Sequence, residues 1–359
     1  EAAGYRRFWV AEHHLNPGVV GSSPPLVISL VAAATERIRV GSGAVQLGHQ
    51  TPLSVVEQFG IIAALHPGRI DLGLGRSGSR RSAARARDAE APAGARLDAT
   101  ALNGTPAHGA PPAGRTTPRG LFIPPRFSVG ALLASPRFAV QASLLQQPGA
   151  RTPAYEEQVG DILALLGGTY CSAEGVEAHA APGEGAPLDV WVLGSSAGES
   201  ARVAGERGLP FAANYHVSPA TVLEAAEAYR AAFRPSVALP RPYVIVSADA
   251  VVGPDDAAAR RLAAGYGLWV HSIRSGQGAI PFPTPEQAAA HEWTEEERSL
   301  VADRVDTQFV GSAATVADGL EVLAAEVGAD EVMVTTITHD HADRARSYDL
   351  LAAEWRARR

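Results

Sequence analysis

Residues 8–14 read FWVAEHH, a short apolar run that ends in a carboxylate and two imidazoles. Such a run is typical of a strand buried on both faces, with the polar side chains lying where the strand leaves the core. Residues 16–18, NPG, then mark a loop, and Ser23 before Pro24 is a helix-start signal. The stretch predicts a buried strand followed by a helix.

The same alternation of strand and helix continues along the chain. Further strands are predicted at residues 38–45, 70–74, 189–193, 211–213, 243–252 and 331–335. Helices are predicted at residues 26–34, 52–65, 197–207, 219–233, 255–269 and 340–355. This order requires a mostly parallel sheet, either doubly wound or closed into a barrel. No Gly-x-Gly-x-x-Gly turn follows the first strand, which favours the barrel.

We therefore predict an α/β fold, a (β/α)8 TIM barrel formed by residues 1–359 as a single domain. Residues 1–7 resemble the end of a helix that runs into a strand, so this chain is expected to lack the first barrel strand. Residues 79–153 are predicted to be an irregular insertion. Residues 271–304 are predicted to be either a lid over the barrel mouth or a plain surface insertion.

Composition narrows the classes of function. The 359 residues carry a formal net charge of -7 and are 46% hydrophobic, which is typical of a globular protein in the cytoplasm. No apolar stretch is long enough to span a bilayer, and no basic stripe indicates nucleic acid as a partner. The single cysteine, Cys171, excludes an internal disulfide and a thiolate zinc cluster. A small-molecule substrate is expected.

Polar residues follow several predicted strands, and in a parallel barrel these positions converge on one mouth. Glu12, His13 and His14 follow the first strand, and Asn214 to His216 follow a later one. A zinc or iron site built from His13, His14 and His216 is disfavoured, because adjacent residues of a strand point to opposite faces. We expect no metal, and we expect one imidazole of the His13–His14 pair to face the pocket.

Two further segments carry features of an anion or ligand site. Residues 194–198, GSSAG, lie at a strand-to-helix junction, where they form either a phosphate cradle or an ordinary helix cap. Arg76, after a neighbouring strand, could supply the positive charge that a phosphate requires. Residues 41–44, GSGA, lie in an otherwise apolar strand, which indicates either a flat ligand against the backbone or a bulge.

Together these motifs resemble the flavin-dependent luciferase-like monooxygenases, of the bacterial luciferase alpha-chain type. The segments that carry the resemblance are FWVAEHH at 8–14, TERIRVGSG at 35–43, EQF at 57–59, HPGRIDLGLGR at 66–76, VLGSS at 192–196 and GADEVMV at 328–334. The resemblance is dense up to about residue 78 and looser from residue 189 to the end of the chain.

The resemblance implies a cofactor and residue roles. It implies reduced FMN at the barrel mouth, oxygen as co-substrate, a separate flavin reductase as partner and a homodimer. His13 matches the catalytic histidine near the reactive flavin position, and a non-proline cis peptide is expected at Gly43 and Ala44, under the flavin ring. The phosphate-binding positions of the family match Arg76, Ser195, Ser196 and Ser200.

These observations favour a flavin-dependent monooxygenase. The apolar residues 8–10 and the region of Trp269 indicate a small apolar or aldehyde-like substrate. A deazaflavin-dependent dehydrogenase on the same barrel and a non-catalytic flavin-binding protein are the alternatives. The Glu12–His14 block and the short phosphate turn favour FMN over the deazaflavin.

Overall fold

The computed structural model describes residues 1–76, 114–128 and 135–359. The strands are β1 (Arg7–Val10), β2 (Arg39–Ser42), β3 (Val45–Gln46), β4 (Ile70–Gly75), β5 (Arg115–Thr116), β6 (Phe122–Ile123), β7 (Leu188–Gly194), β8 (Phe211–Asn214), β9 (Val244–Val252), β10 (Phe309–Gly311) and β11 (Glu331–Thr335). The helices are α1 (Pro24–Ala33), α2 (Pro52–Leu65), α3 (Pro136–Leu145), α4 (Tyr155–Leu166), α5 (Glu199–Glu206), α6 (Val222–Ala232), α7 (Asp256–Ala263), α8 (Tyr266–Arg274), α9 (Pro285–Ala290), α10 (Glu295–Val305), α11 (Ala313–Val327) and α12 (His341–Ala357).

The main sheet is parallel and follows the order of the sequence. Strand β1 pairs with β2, and the sheet continues through β4, β7, β8 and β9. The long strand β9 pairs with β11 along its first half and with β10 near its end. A doubly wound sheet reverses its strand order at a switch point, and this sheet does not. The predicted α/β barrel architecture is confirmed.

The sheet is open between β1 and β11. Within the described ranges no strand pairs with the outer edge of β1 or with the free edge of β11. Arg7 spans this opening, because its Nε donates to Glu331 Oε2 at 2.8 Å. Within the described residues the sheet therefore does not close into a complete barrel.

Local signals account for the element boundaries. Helix α1 begins at Pro24 as predicted, although Ser23 makes no capping hydrogen bond. Helix α2 is capped by Thr51, whose side chain accepts from the Ser54 N–H. The predicted strand 38–45 is instead two short strands, β2 and β3, interrupted at residues 43–44. The predicted helix 255–269 is likewise divided into α7 and α8.

The two predicted interruptions contain regular structure. Residues 271–304 hold the end of α8, all of α9 and most of α10. Of residues 79–153, the described part includes the β5–β6 hairpin and α3, and residues 79–113 and 129–134 lie outside the described ranges. Strand β10 and helices α4 and α11 are elements that the sequence analysis did not predict.

The interior of the curved sheet has an aromatic core above a charged floor. Trp9 packs edge to face on Trp191 with ring centroids 5.3 Å apart, and Trp191 packs similarly on Tyr243. Below them the buried Asp71 accepts hydrogen bonds from Arg7 and from Trp9 Nε1, at 2.8 and 2.9 Å. These packed side chains fill the interior at the amino-terminal ends of the strands, so a ligand is expected at the carboxyl ends.

Candidate active site at the mouth of the sheet

The parallel register brings the predicted site residues to one side of the sheet. Val10 pairs with Ser42, and Gly194 pairs with Ala213. Asn214 in turn pairs with Ser247 of β9. The loops that follow these positions therefore surround one mouth.

His13 lies exposed within this mouth. Its backbone N–H donates to the Gly21 carbonyl at 2.9 Å, while its ring makes no hydrogen bond to another described residue. The surrounding protein desolvates the ring, and together with the neighbouring His14 it lowers the pKa of His13 below its ordinary value. The imidazole is therefore neutral near pH 7 and able to accept a proton.

His14 is turned into a buried cluster with Glu12 and His49. Glu12 Oε1 accepts hydrogen bonds from His14 Nε2 at 2.9 Å and from His49 Nε2 at 2.7 Å. The backbone N–H of Gln46 donates to Glu12 Oε2 at 2.7 Å. Burial raises the pKa of Glu12, but the hydrogen bonds from His49, Gln46 and His14 outweigh it and lower the pKa overall. We call the side chains of Glu12, His14 and His49 the Glu12 cluster.

The Glu12 cluster was only partly visible in the sequence. His13 and His14 have different surroundings, as expected, but strand alternation is not the reason, because both lie in the loop after β1. His49 was missed, although it follows β3 by three residues, as His13 follows β1; the signal was its place after a strand, and its partner Glu12 lies 37 residues away in the sequence. Only the pairing of β1 with β2 and of β3 with β4 brings the two loops together.

The predicted phosphate residues lie around the start of α5. Arg76 NH1 forms an ion pair with Glu199 Oε2 at 2.8 Å, which holds the guanidinium against the first turn of this helix. The N-cap residue, Gly198, offers no side-chain cap, so the first-turn N–H groups have no partner within the helix. Ser195 and Ser196 are half-buried, whereas Ser200 is buried beside Tyr155.

Residues 41–44 are tightly packed. The Gly43–Ala44 peptide is cis, as the resemblance implied. A Cβ at Gly41 would lie 2.4 Å from the Asp71 carbonyl oxygen, and one at Gly43 would lie 3.3 Å from Trp9 Cβ. Close packing thus accounts for both glycines, so the glycine content of this strand is not by itself a sign of a ligand.

The apolar residues that indicated an apolar substrate, residues 8–10 and the region of Trp269, do not all face the interior. Trp9 faces the interior aromatic core, but Phe8 points to the opposite side of its strand and is 49% exposed. Trp269 packs instead with Tyr266, Phe282 and other apolar residues of the inserted helices. The expectation that residues 8–10 line the pocket together is therefore wrong for Phe8.

A second group of polar side chains joins the inserted helices to strand β9. The buried Asp249 of β9 accepts hydrogen bonds from Arg304 NH2, at 3.0 Å, and from the Tyr266 hydroxyl. Tyr266 belongs to α8 and Arg304 to α10, so these bonds fasten the inserted helices to the sheet. The sequence analysis missed all three residues, although an aspartate within the apolar run 243–252 was a usable signal.

His216 lies beside this second polar group. Its Nδ1 is 2.6 Å from Ser247 Oγ. Burial lowers the pKa of His216 to about 4; the charges of Arg304 and His13 lower it further, and that of Asp249 opposes them. The mouth therefore contains two histidines that are neutral at neutral pH.

The inserted segment also contacts the loop that carries His13 and His14. Asn16 Nδ2 donates to the His14 carbonyl, and Asn16 Oδ1 accepts from the Ala279 N–H, both at 2.9 Å. The Gly18 N–H donates to the Ala279 carbonyl, also at 2.9 Å. The inserted segment and the histidine loop are therefore joined by direct hydrogen bonds.

Comparison with known sequences gives a consistent result. The luciferase-like monooxygenase family profile matches residues 1–102 and 134–331. The uncharacterized protein YvbT of Bacillus subtilis (strain 168) is 32% identical over 359 residues, covering 100% of this chain and 88% of that protein. A luciferase-like monooxygenase of Escherichia coli (strain K12) is 30% identical over 350 residues, covering 98% and 86%. An N-acetyl-S-alkylcysteine monooxygenase of Bacillus subtilis is 51% identical over 77 residues, 21% of this chain and 23% of that protein.

Solved structures share the fold over the whole chain. The crystal structure of apo-MsnO8 has a TM-score of 0.70 at 28% identity and covers 99% of this chain and 88% of that one. The FMN complex of the oxygenating constituent of 3,6-diketocamphane monooxygenase from Pseudomonas putida has a TM-score of 0.55 at 17% identity, covering 98% and 88%. An F420-dependent secondary alcohol dehydrogenase has a TM-score of 0.57 at 13% identity, covering 100% and 92%. The last two likenesses concern the fold alone.

Proposed function

The chain belongs to the luciferase-like monooxygenase family, and from this premise we propose that it uses reduced FMN and oxygen to oxygenate a small organic substrate. The observation that carries the proposal is the pairing, in one mouth, of a neutral imidazole with an anion site. His13 has no ring partner among the described residues, and Arg76 lies at the uncapped start of α5.

The residues at the start of α5 fit the phosphate of FMN. Unpaired first-turn amides and a fixed guanidinium are the donors that a phosphate requires. In this proposal Arg76, Ser195 and Ser196 bind phosphate oxygens with their side chains. Ser200 contributes its first-turn backbone N–H, because its side chain is buried beside Tyr155. Glu199 acts through Arg76, which it holds in place.

Bound reduced flavin supplies the electrons that activate oxygen. The protein's own contribution is to hold and move a proton, and His13 carries it on a ring nitrogen that is unprotonated at neutral pH. Residues 43–44 would lie beneath the ring, on the side closed by Trp9. The inserted helices α8 and α10 cover the mouth and exclude water, which is the lid role proposed for residues 271–304.

The substrate is proposed to be small and apolar or aldehyde-like. Trp9 and Leu193 of the interior core lie below the mouth. An apolar surface on this side of the mouth favours an apolar substrate body.

A homodimer and a separate flavin reductase complete the proposal. Helices α1 and α2 expose apolar side chains on their outer faces, including Leu30, Ile61 and Leu65. Exposed apolar side chains on two neighbouring helices favour a protein partner, and we propose that a second copy covers them. Light scattering should give twice the chain mass, and Ile61→Glu should give a monomer.

No helix in the described ranges could cross a membrane. We propose the cytoplasm as the compartment.

The decisive experiment is an anaerobic titration with reduced FMN and, separately, with a reduced deazaflavin, followed by isotopically labelled oxygen and a panel of aldehydes and sulfides. We expect reduced FMN to bind and one labelled oxygen atom to enter the product. Binding of the deazaflavin alone, with hydride transfer and no oxygen uptake, would establish the dehydrogenase alternative. Flavin binding without turnover across the panel would favour the non-catalytic alternative.

A further inference from the structure

The Glu12 cluster gathers three metal-ligand atoms in a protected place. Glu12, His14 and His49 each offer one ligand atom, and these three atoms lie within 4.8 Å of one another. The side chains of Glu12, His14 and His49 are 1%, 15% and 8% exposed. Two imidazoles and one carboxylate are the donor set of three-ligand zinc and non-haem iron sites, in which a further position stays open.

The observed distances are close to those of a coordinated ion. In tetrahedral zinc sites the metal lies about 2.0–2.1 Å from nitrogen and oxygen ligands, which places the ligand atoms about 3.3 Å apart. Both imidazole nitrogens lie on the same oxygen of Glu12, at 2.9 and 2.7 Å. For an ion to replace the two hydrogen bonds, each ring moves outward by about half an ångström and its proton passes from Nε2 to Nδ1, so that Nε2 presents a lone pair to the metal.

Neighbouring groups hold the three ligands in place. Gln46 binds both ends of Glu12, since its backbone N–H donates to Oε2 at 2.7 Å and its side-chain amide donates to the Glu12 carbonyl at 2.6 Å. The loop of His49 is fixed at the Gly48 carbonyl, which accepts from Gln146 Nε2 at 2.8 Å and Thr152 Oγ1 at 3.0 Å. Outer contacts of this kind orient ligands and raise metal affinity.

We propose that Glu12, His14 and His49 form a binding site for a zinc-class divalent cation, with water as the remaining ligand. The ion would fasten the loop after β1 to the loop after β3. No metal was expected from the sequence, where the candidate ligands were His13, His14 and His216, whereas the structure groups His14 with Glu12 and His49. The proposal is independent of the flavin reaction, because binding of the ion requires neither FMN nor substrate.

A second histidine–glutamate group provides an internal control. His271 and His291 approach Glu297 at 3.7 and 3.6 Å, but each contacts a different carboxylate oxygen. This group belongs to the covering helices and lies outside the set of described ligand atoms that cluster within 4.8 Å. The affinity of the Glu12 cluster for zinc should therefore be unchanged by His291→Ala.

The test uses the full chain, freed of any affinity tag and treated with a chelator. Zinc is titrated in competition with a chromophoric chelator, and cobalt is added separately to read the visible absorption of a four-coordinate site. We expect one zinc per chain and an intense cobalt spectrum. Glu12→Gln and His49→Ala should each weaken zinc binding at least tenfold, and His291→Ala should leave it unchanged.

Several outcomes would overturn the proposal. One is the absence of zinc uptake by the folded wild type at about 100 µM free ion, a concentration far above that needed by three-ligand sites. Another is binding that survives Glu12→Gln and His49→Ala but is lost in His291→Ala. Circular dichroism establishes that each variant is folded, and His49→Asn replaces His49→Ala if that variant does not fold.

Discussion

Two buried aspartates lie at opposite ends of the sheet, and their partners differ in origin. Asp71 near the floor is paired with Arg7 and Arg39, which come from adjacent strands. Asp249 near the mouth is paired with Arg304 and Tyr266, which come from inserted helices. The charge of Asp71 is balanced by residues of the sheet itself, whereas the charge of Asp249 is balanced by residues of helices that pack onto the sheet. This difference separates residues that stabilise the fold from residues that serve the site.

The largest expected effect is on the floor. Asp71→Ala leaves two arginines and the Trp9 N–H without their shared carboxylate, and we expect it to lower the free energy of unfolding by about 3–5 kcal/mol. Urea unfolding measures this loss. The control is Asp189→Ala, which removes a half-exposed partner of Arg39 and should cost less than about 1 kcal/mol. Equal losses in both variants would contradict the assignment of Asp71 as the anchor of the floor.

At the mouth, His13→Ala should act on turnover and leave stability unchanged. Loss of a positioned proton acceptor should slow oxygenation about 100-fold or more, with flavin affinity and the unfolding midpoint unaltered. Turnover under saturating reduced FMN measures it. The control is His179→Ala, which removes an exposed histidine paired with Glu184. Turnover equal to wild type would remove His13 from the catalytic role.

Arg76→Ala should act on cofactor binding with a smaller effect. The lost contact is to a phosphate, so FMN should bind about 10–100-fold more weakly, equivalent to about 1.5–3 kcal/mol, while riboflavin affinity stays the same. Fluorescence titration with both ligands measures the difference. The control is Arg202→Ala, which removes an exposed arginine of α5 that is paired with Glu156 and Glu206. An equal loss for FMN and riboflavin would show that Arg76 does not bind the phosphate.

The smallest effect at neutral pH concerns His216. Its pKa is lowered to about 4 in the fold, below the ordinary value, so the unfolded chain binds this proton first as the pH falls. Stability is therefore lost from about pH 6.5 downward, by about 2 kcal/mol at pH 5 from this group. The facing charged groups are Asp249, Arg304 and His13. His216→Asn should flatten the stability profile between pH 6.5 and 5, and an unchanged slope would contradict it.

Elements with continuous apolar runs were predicted well. Strand β11, Glu331–Thr335, coincides with its predicted range, and β4 extends one residue beyond its own. Strand β10 was missed because three residues are too few to show a period. The division of residues 255–269 into α7 and α8 was missed although Gly265, the N-cap of α8, was a usable signal of a break.

The candidate site divides in the same way. His13, Arg76 and Ser195 lie directly after apolar runs, so the rule that sites form at strand ends identified them from the sequence. His49 follows β3 at the same distance as His13 follows β1, so the same rule was available for it and was not applied. Arg304 lies in an inserted helix, and its importance follows only from its long-range bonds to Asp249 and Tyr266.

The sequence by itself determined the order of strands and helices, the parallel sheet and the family, because each rests on residues that are close along the chain. The tertiary structure alone decided which charged groups meet. Glu12 bonds His49 across 37 positions, and Asp249 bonds Arg304 across 55. Such contacts depend on strand register and on how inserted helices dock, and these are set by packing of the whole core instead of by any local pattern.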